Sequence, residues 1–227
     1  MRDLMIAKLY VLQYLKEHPE LFSDYERECI LDYVYLINSD EFIPDVVREV
    51  YDEVGIIPDT KNVYLEFIKL LNKTYAVHDK NILEVGGGTI PRLAKRINHL
   101  QTTGSITVYD PRLSIYEEDT SKFHLVRKPF TESTNIGNHN LMVALMPCEA
   151  CETVIRSAIN NKIDFMLGFC EGGPHGDEFD YFEDDDEWLN SMLYLARDGI
   201  EENGMGKMKV KYLQECKNPY PVIYNER

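Results

Sequence analysis

The sequence has few basic residues and no long apolar run. Among 227 residues, 24 Lys and Arg stand against 39 Asp and Glu, which gives a formal net charge of −15. A field of that sign repels nucleic acid, whose binding depends on Lys and Arg that displace counterions. No stretch approaches the roughly 20 consecutive apolar residues of a membrane helix. We therefore expect no membrane and no nucleic-acid partner, and a small-molecule or cationic protein substrate instead.

A secretory signal is also lacking at the start of the sequence. Asp3, Lys8 and Lys16 interrupt the first apolar residues, so the uninterrupted block of such a signal is absent. We expect a cytoplasmic protein. The cysteine count fits this expectation, because five cysteines are an odd number and free thiols are expected in the cytoplasm.

Metal-ligand patterns are sparse. Cys148 and Cys151 form a C-x-x-C pair, to which Cys170 and His175 could add two further zinc ligands. No second C-x-x-C pair closes such a site, so we predict no metal and interpret these cysteines as small buried thiols.

Hydrophobic spacing divides the chain into two parts. Residues 1–77 carry apolar residues at helical spacing, with Ser23 and Glu26 at the spacing of a capping box. This segment holds no catalytic motif, and we predict a helical cap or dimerisation element that could form a homodimer. In residues 78–227, short apolar strands alternate with helices, which implies an α/β domain with a parallel sheet. Near the end, alternating residues predict an antiparallel hairpin with its turn at 218–221.

The most informative stretch is ILEVGGGTIPRLAKRI followed by SITVYDPR. A strand, a glycine-rich turn and a helix place free backbone N–H groups where a polar ligand can bind. Gly86 and Gly88 permit backbone torsions and a close approach that a side chain would forbid. Asp110 ends the next strand, where an acid can accept hydrogen bonds from both ribose hydroxyls. The pattern therefore predicts a nucleoside-containing ligand at the carboxyl ends of the strands.

Dinucleotide binding is the obvious competitor for this turn. It requires the spacing G-x-G-x-x-G, and the third glycine position counted from Gly86 is occupied by Pro91. The proline ring obstructs the close helix approach that glycine serves at that position. The sequence thus disfavours NAD and FAD.

Glu84-Val85-Gly86-Gly87-Gly88-Thr89, with Asp110 closing the second strand, resembles the first two motifs of class I S-adenosylmethionine-dependent methyltransferases. The resemblance covers about two-thirds of the chain and implies a seven-stranded, mostly parallel Rossmann-like sheet. It implies S-adenosylmethionine as cofactor, with Glu84, Gly86 and Gly88 near its methionine part and with Gly87 and Thr89 also among the cofactor-binding residues. Asp110 would hold the ribose, and Pro111 and Arg112 would lie beside the adenosine. Ile90 replaces the third glycine of the family pattern.

The sequence gives weaker signals for the residues that would act on the methyl acceptor. The fourth strand ends in Met146-Pro147-Cys148-Glu149, which does not match the Asn/Asp-Pro-Pro-aromatic motif of amino-methylating nucleic-acid enzymes. His175 is the best single candidate for a general base, since its ordinary pKa suits proton transfer near neutral pH. Residues 177–187 form an acidic segment with eight Asp and Glu and no Lys or Arg. This composition predicts either a solvated loop or a lid that recruits a cationic substrate.

Three functional interpretations follow, of which a methyltransferase acting on a small molecule or a protein is the leading one. The alternative is a non-catalytic protein that keeps the nucleotide fold as a regulatory or interaction scaffold. Ile90 and the lack of a recognisable catalytic motif support that alternative. A nucleotide-dependent oxidoreductase is the third, against which Pro91 argues.

Overall fold

The structure is a computed structural model, and it describes residues 2–35, 46–47, 50, 63–89, 91–98, 100, 104–113, 120–169, 185–213 and 220–227. The chain divides into two compact units, Met1–Asn62 and Val63–Arg227. No helix among the described residues combines the length and the apolar character needed to cross a membrane.

The first unit is helical where it is described. Its helices are α1 (Arg2–Glu17) and α2 (Asp24–Tyr35), with a short 3-10 turn at Pro19–Leu21 between them. The predicted capping box at the start of α2 is confirmed. The Ser23 N–H donates to Glu26 Oε2 over 2.8 Å, and the Glu26 N–H donates back to Ser23 Oγ over 3.2 Å. The two bonds satisfy N–H groups that a helix start leaves without partners. A small apolar core forms around Val11, Phe22 and Ile30.

The second unit is built on a seven-stranded sheet with the order β3-β2-β1-β4-β5-β7-β6. Its strands are β1 (Ile82–Val85), β2 (Ile106–Tyr109), β3 (Phe123–Val126), β4 (Leu141–Leu145), β5 (Asp164–Gly168), β6 (Lys207–Leu213) and β7 (Tyr220–Glu226). The first five strands pair in parallel, whereas β7 runs antiparallel to both β5 and β6. The predicted mostly parallel sheet with a C-terminal antiparallel hairpin is therefore confirmed.

Helices cover both faces of this sheet. They are α3 (Val63–Tyr75), α4 (Arg92–Asn98), α5 (Cys151–Asn160) and α6 (Asp185–Glu202). One apolar core joins the residues of α3 and α4 to one face of the central strands. A second core joins α5 and α6 to the other face. Because both faces are covered, β1 and β4 are buried along their whole length, as continuous apolar strands of a parallel sheet require.

Two boundaries of the second unit differ from the sequence prediction, and one connection has a structure that the sequence does not specifically predict. The unit begins at Val63 instead of residue 78, because α3 packs in the core of the sheet. The hairpin strand β7 already includes Pro221, which pairs with Tyr212, so the predicted turn at 218–221 extends too far. Residues 127–140, all of them described, connect β3 to β4 through turns without a helix.

Candidate functional site

The turn that follows β1 has the backbone conformation that its glycines suggest. Gly86 and Gly88 have φ angles of 80° and 71°, in the left-handed region that side chains disfavour. The Gly86 N–H donates to the carbonyl of Tyr109 over 2.9 Å, which extends the β1–β2 ladder into the turn. The turn then leads through Pro91 into α4. Its backbone therefore lies at the carboxyl edge of the sheet, as the sequence predicts.

Asp110 follows β2 at the same edge, and its side chain reaches the glycine turn. Only 3% of the residue is exposed. Its Oδ2 accepts the N–H of Gly88 over 2.9 Å, and its Oδ1 accepts the N–H of Arg112 over 2.7 Å. The Arg112 Nε lies 3.5 Å from Oδ1. A carboxylate has about four acceptor positions, so these contacts leave capacity for further hydroxyl donors.

Glu84 lies in β1, directly before the turn. It is 3% exposed, and burial raises the pKa of its carboxyl to about 8, against an ordinary value of 4.5. The negative charge of Asp110 adds to this increase, whereas a hydrogen bond from the Ala94 backbone opposes it. Among the described residues, Glu84 Oε2 has no hydrogen-bond partner. A buried carboxyl oxygen in that condition marks a place where a polar ligand group or a bound proton would stabilise the site.

The loop after β4 forms one side of the glycine turn. A Cβ atom at Gly86 would lie 2.9 Å from Pro147 Cβ and 3.0 Å from Pro147 Cα. Met146, the residue before this proline, has a φ of 55°, and its N–H donates to the Gly168 carbonyl over 2.7 Å. A left-handed backbone is unfavourable for a methionine. The Met146–Pro147 turn is thus fixed against β5 on one side and against Gly86 on the other.

Gly87 faces the interior at the middle of the turn. A Cβ atom there would lie 2.5 Å from Val108 Cγ1 and 3.2 Å from Pro91 Cβ. Pro91 is itself buried at the start of α4. The proline therefore fills the space between turn and helix, where a dinucleotide fingerprint has its third glycine.

The structure brings together most of the residues that the sequence selects for a cofactor. Glu84, the three glycines and Asp110 form one connected group, and the half-buried Thr89 continues the turn. Pro111 and Arg112 follow Asp110 and are exposed. Taken together, a buried carboxylate with spare acceptor capacity and a backbone turn free of side chains fit a ligand that carries a ribose and a polar chain.

Ile90, Cys170, His175 and residues 177–184 of the acidic segment lie outside the residues that the structure describes. Cys151 is a buried thiol in the first turn of α5. Within the part of the chain that the structure describes, no group of three or more His, Cys, Asp or Glu residues is arranged to hold a metal ion.

Two features of the site are not predictable from the sequence. The contact between Pro147 and Gly86 joins residues far apart in the chain, and no local pattern indicates it. Phe67 is the second feature, since a Cβ atom at Gly168 would lie 3.5 Å from its ring. Helix α3 therefore brings an aromatic side chain to the carboxyl end of β5. The sequence gives only a weak signal for this contact of Phe67, because α3 has the same amphipathic spacing as α1 and α2.

Comparison with known proteins yields structural similarity only. Neither a protein-family model nor a curated protein matches the sequence. Similar solved structures include a precorrin-6Y C5,15-methyltransferase from Geobacter metallireducens, with 13% identity and a TM-score of 0.48 over 71% of this chain and 87% of that chain. The magnesium protoporphyrin IX methyltransferase from Synechocystis, solved with bound S-adenosylmethionine, has 10% identity and a TM-score of 0.44 over 96% and 95%.

A third similar structure is the ribosomal protein L11 methylase from Lactobacillus delbrueckii, with 14% identity and a TM-score of 0.45 over 71% of this chain and 78% of that chain. These similarities concern the fold. The sheet itself, with seven mostly parallel strands and an antiparallel hairpin at one edge, is the one that the family resemblance in the sequence implies.

Proposed function

We propose that the protein binds S-adenosylmethionine at the carboxyl edge of its sheet and transfers the methyl group to an acceptor. The observation that carries the proposal is the connection between the glycine turn and Asp110, in which the Gly88 N–H donates to the buried carboxylate. This connection positions a ribose acceptor beside a backbone turn that carries no side chains. The order of strands in the sheet supports the same ligand.

Each residue of the site would contact a particular part of S-adenosylmethionine. Asp110 would accept the ribose hydroxyls, Gly86 and Gly88 would allow the backbone to approach the methionine part, and Glu84 would offer its carboxyl to the same part. When bound, S-adenosylmethionine supplies an electrophilic methyl group, so the chain has mainly to align a nucleophile. Because the Met146–Pro147 turn adjoins Gly86, we expect it to lie beside the acceptor.

We propose a small molecule or a cationic protein as the acceptor. The net charge of −15 supports this choice over nucleic acid.

We also propose that the protein acts in the cytoplasm and forms a homodimer through its N-terminal helices. Leu9 and Tyr10 on α1, with 60% and 50% of their surface exposed, support an apolar contact there. Light scattering on Leu9→Glu would test the dimer, and an unchanged mass would contradict this role of α1.

Calorimetric titration with S-adenosylmethionine, S-adenosylhomocysteine and NAD in parallel tests the cofactor. We expect saturable binding of both adenosyl ligands and no binding of NAD. Failure of a folded sample to bind either adenosyl ligand would overturn the proposal. Preferential binding of NAD would favour an oxidoreductase instead.

A second candidate function is a cofactor-binding scaffold without catalysis. The observation that favours it is the end of β4, where Met146 and Pro147 supply no acid, base or amide group. A methyl transfer that needs a proton acceptor would then have to find it elsewhere. Binding of S-adenosylmethionine without methylation of cationic proteins or small-molecule extracts would support the scaffold, and a labelled product would exclude it.

A further inference from the structure

Glu84 is enclosed by apolar strands on both sides. The register places Val108 of β2 and Val143 of β4 beside it, and both are fully buried. On the α4 side, its hydrogen bond comes from the Ala94 backbone, and Leu93 and Ile97 are fully buried on that helix. An ionised carboxylate in such surroundings lacks the solvation that water would give it.

Four charged residues lie on or next to the elements around Glu84, namely Asp110 after β2 and Arg92, Lys95 and Arg96 on α4, and two of them are buried. Asp110 at the end of β2 is a second buried carboxyl, and Arg92 is a buried cation at the start of α4. The two carboxyls differ in their hydrogen bonds. Asp110 accepts two backbone N–H groups and faces Arg112, whereas Glu84 Oε2 has no partner among the described residues. Of two neighbouring carboxyls, the one with fewer donors is the one that keeps a proton.

We propose that Glu84 carries a proton in the ligand-free protein and releases it when S-adenosylmethionine binds. This inference rests on the proposed function, since it needs the cofactor at this turn. The cofactor carries an ammonium and a sulfonium, and a positive charge close to a carboxyl favours its ionised form. The O–H bond of Glu84 breaks, the electron pair stays on the carboxylate, and the proton passes to the solvent buffer. Binding and proton release are thereby coupled.

The coupling has a direct consequence for affinity. A reaction that releases one proton becomes about tenfold more favourable for each pH unit until the free group is itself ionised. Burial raises the pKa of Glu84 to about 8, so the dependence should extend through neutral pH and level off above that value. S-adenosylhomocysteine lacks the sulfonium charge. It should therefore release fewer protons than S-adenosylmethionine at the same pH.

The experiment is calorimetric titration of the full chain at neutral pH in two buffers of different ionisation enthalpy. We expect the observed enthalpy for S-adenosylmethionine to differ between buffers by an amount equal to about half to one proton released. Glu84→Gln mimics the protonated carboxyl and should bind with the same enthalpy in both buffers. This variant also distinguishes Glu84 from the six histidines, whose protons would still be released.

The outcomes separate this inference from the proposed function. Binding with an enthalpy independent of buffer in the wild-type protein would overturn the proton coupling and leave the cofactor in place. Equal proton release by the wild type and by Glu84→Gln would assign the proton to another group and also overturn it. If no adenosyl ligand binds at any pH, the proposed function itself fails. Because the wild-type comparison needs no substitution, the test holds even if the variant does not fold.

Discussion

The Gly88 N–H donates to Oδ2 of Asp110 over 2.9 Å, which ties the turn after β1 to the end of β2. The bond joins two residues that are 22 positions apart in the chain. The carboxylate also accepts the N–H of Arg112, so its orientation is fixed from two sides. The turn and the carboxylate therefore hold each other in place, which lowers the entropy cost of ordering them around a ligand.

Replacement of Asp110 by alanine should strongly weaken the binding of S-adenosylmethionine. The variant loses the proposed ribose acceptor together with the group that holds Gly88. Hydrogen bonds to a charged group contribute about 1.5–3 kcal/mol, so the dissociation constant should rise by about one to two orders of magnitude. Calorimetric titration measures this change.

Asp110→Asn is the matched control for that loss. An amide keeps one acceptor oxygen for the turn but removes the negative charge. We expect an intermediate affinity and a melting temperature closer to the wild type than that of the alanine variant. Unchanged affinity in both variants would contradict the assignment of Asp110 to the ribose.

Gly86→Ala should destabilise the protein and weaken cofactor binding. Gly86 has a φ of 80°, and a Cβ atom there would lie 2.9 Å from Pro147 Cβ. The left-handed backbone costs about 1–3 kcal/mol for a residue with a side chain, and the contact with the proline adds to it. Urea denaturation would give the loss of stability, and titration would give the loss of affinity.

Gly137→Ala separates the two causes. Gly137 also has a left-handed φ, of 55°, but a Cβ atom there would meet nothing within 4 Å. This variant should therefore lose only the backbone contribution and should bind the cofactor normally. Equal losses in both variants would mean that Pro147 moves aside freely and does not limit the turn.

The sequence predicts the site where the interactions are local or follow from parallel strand order. Strand, glycine turn, helix and Asp110 are separated by short distances along the chain, and the parallel order of β1 and β2 brings them to one edge. The left-handed Met146 and its proline are different. Their conformation depends on the Gly168 carbonyl and on Gly86, which only the assembled sheet brings near.

The boundary between the units was beyond sequence reasoning for a similar reason. Helix α3 has the same amphipathic spacing as α1 and α2, so its pattern does not say which core it joins. Packing decides this, because Phe67 and Leu71 of α3 are fully buried in the core that also contains β1. The connection between β3 and β4 lacks a helix, since Phe130 and Ile136 of its turns pack against the second core themselves.

Tyr75→Phe should reduce stability without affecting the cofactor. The Tyr75 hydroxyl lies 2.7 Å from the Asn225 carbonyl and 2.8 Å from the Phe165 carbonyl, at the amino end of β5. This is the edge of the sheet opposite to the glycine turn. Loss of a half-buried hydrogen bond should cost about 1–2 kcal/mol of unfolding free energy in urea denaturation.

Tyr194→Phe provides the control for the same chemical change on the surface. Tyr194 is 58% exposed on α6, and phenylalanine retains the ring over which Arg197 lies. We expect a change within about 0.5 kcal/mol. A weakened cofactor affinity in Tyr75→Phe would show that the two edges of the sheet are coupled, contrary to this expectation.

Stability should fall with rising pH because of Glu84, and Glu84→Gln should remove that dependence. The pKa of this carboxyl is about 8 in the folded protein and about 4.5 when it is exposed. Between these values the folded state holds a proton that the unfolded state has released, so the free energy of unfolding decreases as pH rises. Below the lower value the folded and unfolded states both hold the proton, so Glu84 adds no pH dependence. Above the higher value the decrease in the free energy of unfolding reaches its full size, on the order of a few kcal/mol.

Urea denaturation of the wild type and of Glu84→Gln at about pH 5 and about pH 8 measures this difference. The variant should gain stability relative to the wild type on going to the higher pH, because its amide has no proton to lose. Glu202→Gln, at an exposed position at the end of α6, should follow the wild type throughout. A constant difference between wild type and Glu84→Gln would mean that Glu84 ionises without penalty, so water must reach its carboxyl in the folded protein.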